Sequence, residues 1–319
     1  MRQRIKPISD SRHANIGEPY QRWPSMGFAD IEHRIAELRV VEVPLSMREN
    51  LWLFLRRSAT LRKLYSIPAL SRPMRTTSFL LMPSERRARV RVQTGPGKGL
   101  LLELNPRWEH SFWEGSYESR VQALFGKVLR PGMTFFDVGA NFGYYSMLAT
   151  RYGARAIAFE PDVEISQELV QHATLNGLRK EIRLERTAVF SYTGDLLLDP
   201  ARGQTRHGNA RIHASGDLTA EVIRVPCVRL DDFVISNPVP ALVKIDVEGA
   251  ESEVLKGAER LFQSVRPFLI CEIHDELNER FISAWLEQKR YAIQWLDSTR
   301  VFPRQLFAGP AQENKSQNH

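Results

Sequence analysis

Between Pro131 and Leu296 the apolar positions of the chain fall into two alternating periods. Thr134 to Val138, Arg155 to Phe159, Ala241 to Val247 and Phe268 to Ile273 are short, apolar-rich runs of the kind that central parallel strands show. Helical spacing separates them. One such segment runs to about Tyr152 and a second covers Val163 to Leu175, stopped at Asn176-Gly177. A third carries Val254, Leu255, Ala258, Leu261 and Phe262 on one apolar face, and a fourth, Glu276 to Arg290, carries Leu277, Phe281 and Trp285. Ile182 to Phe190 and Asp195 to Leu198 read as two more strands around Thr193-Gly194, and Tyr291 to Leu296 as a strand that closes the sheet. This alternation predicts a doubly wound α/β fold, with a mainly parallel sheet and helices on both faces.

Upstream the pattern changes. Ala88 to Val92 and Leu100 to Leu104 predict a β-hairpin around Gly95-Pro96-Gly97. Residues 1 to about 27 are polar and broken by Pro and Gly, which predicts a loose tail. From Phe28 to Leu64, Ile31, Ile35, Leu38, Leu51, Phe54, Leu55 and Leu61 suit helices interrupted near Pro44. The expected organisation is a mostly helical extension over 1–85 acting as a lid or dimer contact, a main domain over 86–308, and a disordered tail over 309–319. The polar stretch from Pro200 to Thr219, with Arg202, Arg206, His207, Asn209, Arg211 and His213, is expected to be a functional loop.

Composition changes this picture little. The 319 residues are 43% hydrophobic and 25% charged, as in an ordinary globular protein. The excess behind the formal net charge of +7 gathers in arginine-rich stretches before the motif region, such as Arg56-Arg57 and Arg86-Arg87-Ala88-Arg89. No aromatic-interleaved basic run accompanies them, so a solvated basic face is expected and a nucleic-acid partner is not. Cys227 and Cys271 lie apart in apolar runs, which predicts buried free thiols in a reducing compartment. The basic start lacks the apolar core of a signal peptide, and Leu51 to Leu55 is far short of the roughly twenty residues that span a bilayer. These features lead to the expectation of a soluble cytoplasmic protein with no membrane span.

The chemistry begins at Asp137-Val138-Gly139-Ala140-Asn141-Phe142-Gly143, where an apolar strand enters a glycine turn and then a helix. Such a turn brings backbone close to a nucleotide-like ligand. Its Gly-x-x-x-Gly spacing differs from the G-x-G-x-x-G of dinucleotide sites. An acid two residues before the first glycine suits a cationic group better than a pyrophosphate. The next strand ends in Glu160-Pro161, where a carboxylate can accept from both hydroxyls of a ribose. S-adenosylmethionine carries both a ribose and a positive centre, and its ammonium and sulfonium are assigned to Asp137 and nearby carbonyls. Asp137, Gly139, Asn141, Gly143 and Glu160 are therefore the candidate cofactor-binding residues.

These residues resemble the FkbM family of S-adenosylmethionine-dependent methyltransferases. The resemblance is strengthened by Trp113-Glu114-Gly115-Ser116-Tyr117-Glu118, by Val228-Arg229-Leu230-Asp231-Asp232-Phe233, and most specifically by Val243-Lys244-Ile245-Asp246-Val247-Glu248-Gly249-Ala250-Glu251. It covers roughly Gly95 to Asp297. It implies a class I, Rossmann-like methyltransferase fold and O-methylation of a hydroxyl on a small molecule, a sugar or a secondary metabolite. By analogy with the fold, the adenine is expected near Thr187-Ala188-Val189, with Ala188 as a contact.

Acceptor chemistry is expected at the carboxyl ends of the later strands. His274 is the first candidate for the base that takes the hydroxyl proton, with Glu272 or Asp246 orienting it or the acceptor. Glu248 is the alternative base or acceptor-binding carboxylate, and Asp246 is shared with the cofactor. Strand-end carboxylates are common, so no metal is expected. Two rival functions are a nucleic-acid methyltransferase and a non-catalytic, cofactor-binding regulatory protein. A small-molecule or glycan acceptor and a homodimer complete the expectations.

Overall fold

The computed structural model describes residues 87–106, 108–199, 211–212 and 222–311. The expected helices and tail of residues 1–85, and most of the polar stretch 200–219, lie outside the described residues. Alternation builds the first element as expected. β1 (Ala88–Arg91) and β2 (Leu101–Leu104) pair antiparallel with Ala88 opposite Leu104. Val90 and Leu102 are buried while Arg89 and Arg91 face outward. Two helices, α1 (His110–Glu114) and α2 (Ser119–Val128), lead into the main sheet.

β3 (Thr134–Val138), α3 (Tyr144–Thr150), β4 (Arg155–Phe159), α4 (Val163–Leu175) and β5 (Ile182–Glu185) then wind in one direction. α4 starts where Asp162 Oδ1 accepts from the Glu164 and Ile165 amides at 2.8 and 3.1 Å, satisfying two donors of the first turn. Next come β6 (Ala188–Val189), β7 (Gly194–Asp199), β8 (Arg211–Ile212) and β9 (Ile223–Val228). They form a separate four-stranded sheet in the order β6-β9-β7-β8. After α5 (Leu230–Phe233) the chain returns to the large sheet as β10 (Leu242–Ile245). It continues through α6 (Glu251–Lys256), α7 (Glu259–Ser264), β11 (Phe268–Ile273), α8 (Glu276–Gln288), β12 (Tyr291–Trp295) and β13 (Arg304–Pro310).

The large sheet has the order β12-β13-β11-β10-β3-β4-β5. β11, β10, β3, β4 and β5 are mutually parallel, and β13 runs antiparallel to both of its neighbours. Val243, Ile245, Leu269, Cys271 and Ile273 pack with Val254, Leu255, Phe262 and Ile282 in one core. Each such side chain contributes about 1.5–3 kcal/mol relative to exposure. Cys227 and Cys271 are buried and free. Among the described residues no helix is long and apolar enough to cross a membrane.

Three expectations are corrected. Ile182 to Phe190 is two strands, because the chain leaves the large sheet after Glu185 and enters the small one at Ala188. The single helix expected to carry Val254, Leu255, Ala258, Leu261 and Phe262 is two, α6 and α7, parted at Gly257, where an added Cβ would stand 2.0 Å from the Phe190 carbonyl oxygen. Gly309 and Pro310 belong to β13 and not to a frayed tail, because that strand is paired on both sides. On α8 the buried residues are Asn278, Ile282, Trp285 and Leu286, while Leu277 is 78% exposed. Leu277→Ala is accordingly expected to shift the unfolding free energy by no more than about 0.5 kcal/mol in a urea titration. A larger loss would show that this face is covered in solution.

Candidate functional site

Parallel strands deliver their carboxyl ends to one edge, and between β3 and β10 the strand order reverses. At that switch point the loops splay apart and leave a crevice. The turn after β3 is pinned there: the amides of Gly139 and Ala140 both donate to the Phe159 carbonyl, at 3.1 and 3.0 Å. Asp246 N donates to the Val138 carbonyl at 3.0 Å. Gly139 has φ +77°, and a Cβ on it would lie 1.8 Å from the Asp246 carbonyl oxygen. Only glycine lets the two loops approach this closely.

A cavity of about 300 Å³ opens against this turn. At one end Asn141 N donates to Glu160 Oε2 at 2.9 Å and Asp162 N donates to Oε1 at 3.0 Å. Glu160 is buried, and its burial raises the carboxyl pKa to about 7 against the pull of those two amides. Each oxygen keeps lone-pair capacity for one more donor, which suits a vicinal diol. Ile165, Ala188, Val189 and Leu198 supply an apolar wall beside it. Phe112, Tyr117, Tyr144 and Tyr145 form an aromatic wall, with Phe112 and Tyr117 stacked at 3.8 Å.

The far end is ionic, where Lys244, Asp246, Glu248 and Glu272 line the cavity. Lys244 is almost fully buried, its Nζ 2.8 Å from Asp246 Oδ2 and 4.8 Å from the Tyr145 ring centre. Burial alone would lower its pKa, but the charges of Asp246, Glu118, Asp137 and Glu272 outweigh that and raise it. Burial and the Asp246 and Glu118 charges push the Glu272 carboxyl up. His274 stands behind Glu248. Its Nδ1 meets Glu251 Oε1 at 2.8 Å, and its Nε2 faces Glu248 at 3.4 Å, Glu272 at 3.8 Å and Asp246 at 3.9 Å. Burial disfavours the imidazolium, yet the Glu251 hydrogen bond and the surrounding carboxylates raise its pKa above the ordinary value.

Gly139, Asn141, Glu160, Ala188, Asp246, Glu248 and Glu272 thus line one cavity. Two expected cofactor residues do not. Asp137 is wholly buried in β3, accepts from Ser146 Oγ at 2.7 Å, and has its pKa raised to about 6 by burial. It sits behind the wall as a partner of Lys244. Gly143 lies where an added Cβ would meet Leu169 Cγ at 2.7 Å, so it serves the packing of α3 on α4. The group that holds His274 is Glu251, not Glu272 or Asp246. Glu251 lies in the quoted acidic string but 23 positions from the histidine, a separation no local pattern spans.

A parallel sheet with a glycine turn at its switch point and a diol-suited carboxylate at the next strand end defines a nucleoside-type binding site. The particular family follows from comparison. The family model described as Methyltransferase FkbM domain matches residues 137–296, and the chain belongs to that family. Hexuronic acid methyltransferase AglP of Haloferax volcanii is 29% identical over 161 residues, covering 50% of this chain and 63% of that protein. 31-O-demethyl-FK506 methyltransferase FkbM of Streptomyces tacrolimicus is 27% identical over 214 residues, covering 56% of this chain and 80% of that one. Less than two thirds of AglP's length is therefore matched. A crystal structure of methyltransferase FkbM from Methylobacillus flagellatus superposes with a TM-score of 0.40 at 16% identity, over 63% of this chain and 54% of that one.

Proposed function

We propose that this protein is an S-adenosylmethionine-dependent O-methyltransferase acting on a hydroxyl of a sugar or other small polyhydroxylated molecule. The observation that carries the reading is Glu160, whose two oxygens are preset by backbone amides at one end of a cavity with carboxylates at the other. The donor set fits the cofactor. Glu160 would hold the ribose hydroxyls, Ala188, Val189 and Leu198 the adenine, and the turn at Gly139 to Asn141 the rest of the chain, with the acidic end suiting a cation. The lining cation Lys244 is already paired with Asp246, which supports a ligand without phosphates. When bound, S-adenosylmethionine supplies a methyl group on a sulfonium, open to in-line attack by an oxygen.

The chain's own residues position that oxygen and take its proton. Aromatic faces at Phe112 and Tyr117 suit the apolar face of a sugar ring. As the O–C bond forms and the C–S bond breaks, the hydroxyl proton must pass to a base. Glu248 lines the cavity with its Oε2 3.4 Å from His274 Nε2, so it would take that proton and His274 would position it. Correct placement of the reacting atoms accounts for much of the acceleration. The relatives' names support the acceptor class, one specifying a hexuronic acid and the other a demethylated oxygen of FK506. Carboxylates at the acceptor end disfavour a polyanion such as nucleic acid. A cytoplasmic setting is part of the same reading, supported by the two free thiols.

Calorimetric titration with S-adenosylmethionine tests this, with NADH as the competing ligand and Glu160→Gln as the variant. Hydrogen bonds to a charged acceptor contribute about 1.5–3 kcal/mol, so the variant should bind about 10- to 100-fold more weakly. The pH dependence has a definite sign. The folded pKa of about 7 lies above the ordinary carboxylate value, so the carboxyl is protonated below pH 7 and ionised above it. Ribose hydroxyls prefer the ionised form, so affinity should rise by up to about tenfold per pH unit until pH 7 and then level off. Glu160→Gln should flatten that profile. Equal affinity in the variant, or a preference for NADH, would remove the basis for the proposal.

A further inference from the structure

We infer that Asp246, Glu248 and His274, with Glu272 beside them, form a binding site for one divalent transition-metal cation of the Mn²⁺ or Zn²⁺ type. The role given to the ion deepens the methyl-transfer reading above and rests on it; the binding site itself does not. One atom each from Asp246, Glu248 and His274 lies within 4.8 Å of the others. Around His274 Nε2 the oxygens Glu248 Oε2, Glu272 Oε1 and Asp246 Oδ1 stand at 3.4, 3.8 and 3.9 Å. All three exceed the roughly 2.7–2.9 Å of a charge-assisted hydrogen bond. Donors held at about 2.0–2.3 Å from a common ion stand about 2.8–3.8 Å apart, so side-chain movements of up to about 1 Å would close the set of Asp246, Glu248 and His274, with Glu272 beside it.

The atoms turned away from this centre are already held. Lys244 Nζ takes Asp246 Oδ2 at 2.8 Å, Gln305 Nε2 takes Glu272 Oε2 at 2.9 Å, and Glu251 Oε1 takes His274 Nδ1 at 2.8 Å. Outer partners of this kind fix ligand orientation, and a carboxylate on the far nitrogen of a liganding histidine is their commonest form. A separate observation points the same way. Glu251 is fully buried and its Oε2 has no hydrogen-bond partner among the described residues. Asp246, Glu248 and Glu272 line a pocket end beside Lys244, with Glu251 on the far side of His274, and a divalent ion would balance that charge. The mixed nitrogen and oxygen set favours Mn²⁺ or Zn²⁺ over Mg²⁺ or Ca²⁺, which take oxygen donors. Bound beside the acceptor, the ion would acidify its hydroxyl, so that no single side chain need be a strong base.

The test uses the full chain, stripped with a chelator and titrated with Mn²⁺ alone by calorimetry and electron paramagnetic resonance, with Zn²⁺, Mg²⁺ and Ca²⁺ in parallel. The expected result is one Mn²⁺ per chain, weakened at least tenfold in His274→Ala and in Glu248→Gln, and about 10- to 100-fold in Glu251→Gln. Glu276→Gln, on an exposed carboxylate of α8, should bind Mn²⁺ normally. Retained S-adenosylmethionine binding by the variants shows that they are folded. Absence of Mn²⁺ and Zn²⁺ binding at millimolar concentration in protein that binds S-adenosylmethionine would overturn the site. So would affinity unchanged in both His274→Ala and Glu248→Gln, and tighter binding of Mg²⁺ or Ca²⁺ would overturn the nitrogen ligand. If Mn²⁺ binds and S-adenosylmethionine does not, the metal site stands and the methyl-transfer reading falls.

Discussion

Gly139→Ala is expected to lower the unfolding free energy by about 2–5 kcal/mol and to reduce methyl transfer at least a hundredfold. Two costs add. The backbone at residue 139 has φ +77°, a conformation that costs an L-residue about 1–2 kcal/mol. The new Cβ would also stand 1.8 Å from the Asp246 carbonyl oxygen and 2.9 Å from its carbon. That neighbour is backbone and cannot rotate away, so the clash is relieved only by moving one loop, at the roughly 1–3 kcal/mol typical of overpacking. Either loop carries site residues, Asn141 on one and Asp246 to Glu248 on the other. A displacement of about 1 Å between reacting groups can cost about a hundredfold in rate. Urea unfolding and a S-adenosylmethionine titration on the same sample check both parts. A variant that keeps the wild-type midpoint and affinity would show that the two loops are not in contact in solution.

Lys244→Met comes next, with an expected loss of about 3–5 kcal/mol. The side chain is 3% exposed, and its ammonium is the buried cation beside Asp137 and Asp246. Methionine replaces most of the stem but leaves those carboxylates without a counter-charge, and removing one partner of a buried pair costs about this much. Asp137 is the more exposed to the loss of charge partner because it is wholly buried, with Ser146 as its hydrogen-bond partner in the side-chain network. Adding Asp137→Asn to Lys244→Met should therefore restore part of the stability, although each single change destabilises. The double-mutant cycle in chemical denaturation measures this coupling. Strictly additive losses would mean that Lys244 acts on Asp246 alone, and no loss from Lys244→Met would mean that water screens the pocket end.

Much of the sheet was legible because its signals are local. α4 was readable from Val163 to Leu175 because Asp162 caps one end and Asn176-Gly177 stops the other. β11 was readable from Phe268 to Ile273 because its apolar run is bounded by Arg266-Pro267 and by His274. β13 was missed because Gly309-Pro310 reads as an exit, and its pairing partners, β11 and β12, lie on either side of it in the sheet. The break between α6 and α7 was missed for a related reason. Asp231, 26 positions away along the chain, donates its amide to the Gly257 carbonyl at 3.0 Å and accepts from the Arg260 and Leu261 amides at 3.0 and 2.8 Å, which starts α7 afresh.

At the site the division is similar. The glycine turn, Glu160 and the string from Lys244 to Glu251 announce themselves in the sequence, because turn chemistry and strand ends depend on neighbours a few residues apart. The sequence alone therefore determined the α/β alternation, the residues at the strand ends and the class of ligand they suit. Only the tertiary structure decided which carboxylates turn inward. It withdrew Asp137 behind Lys244, assigned Glu251 to His274, and set three carboxylate oxygens around one imidazole nitrogen. The physical reason is range: hydrophobic period and capping act within a turn or a strand. The burial, charge balance and hydrogen-bond partners of a side chain depend on segments that only the closed sheet brings together.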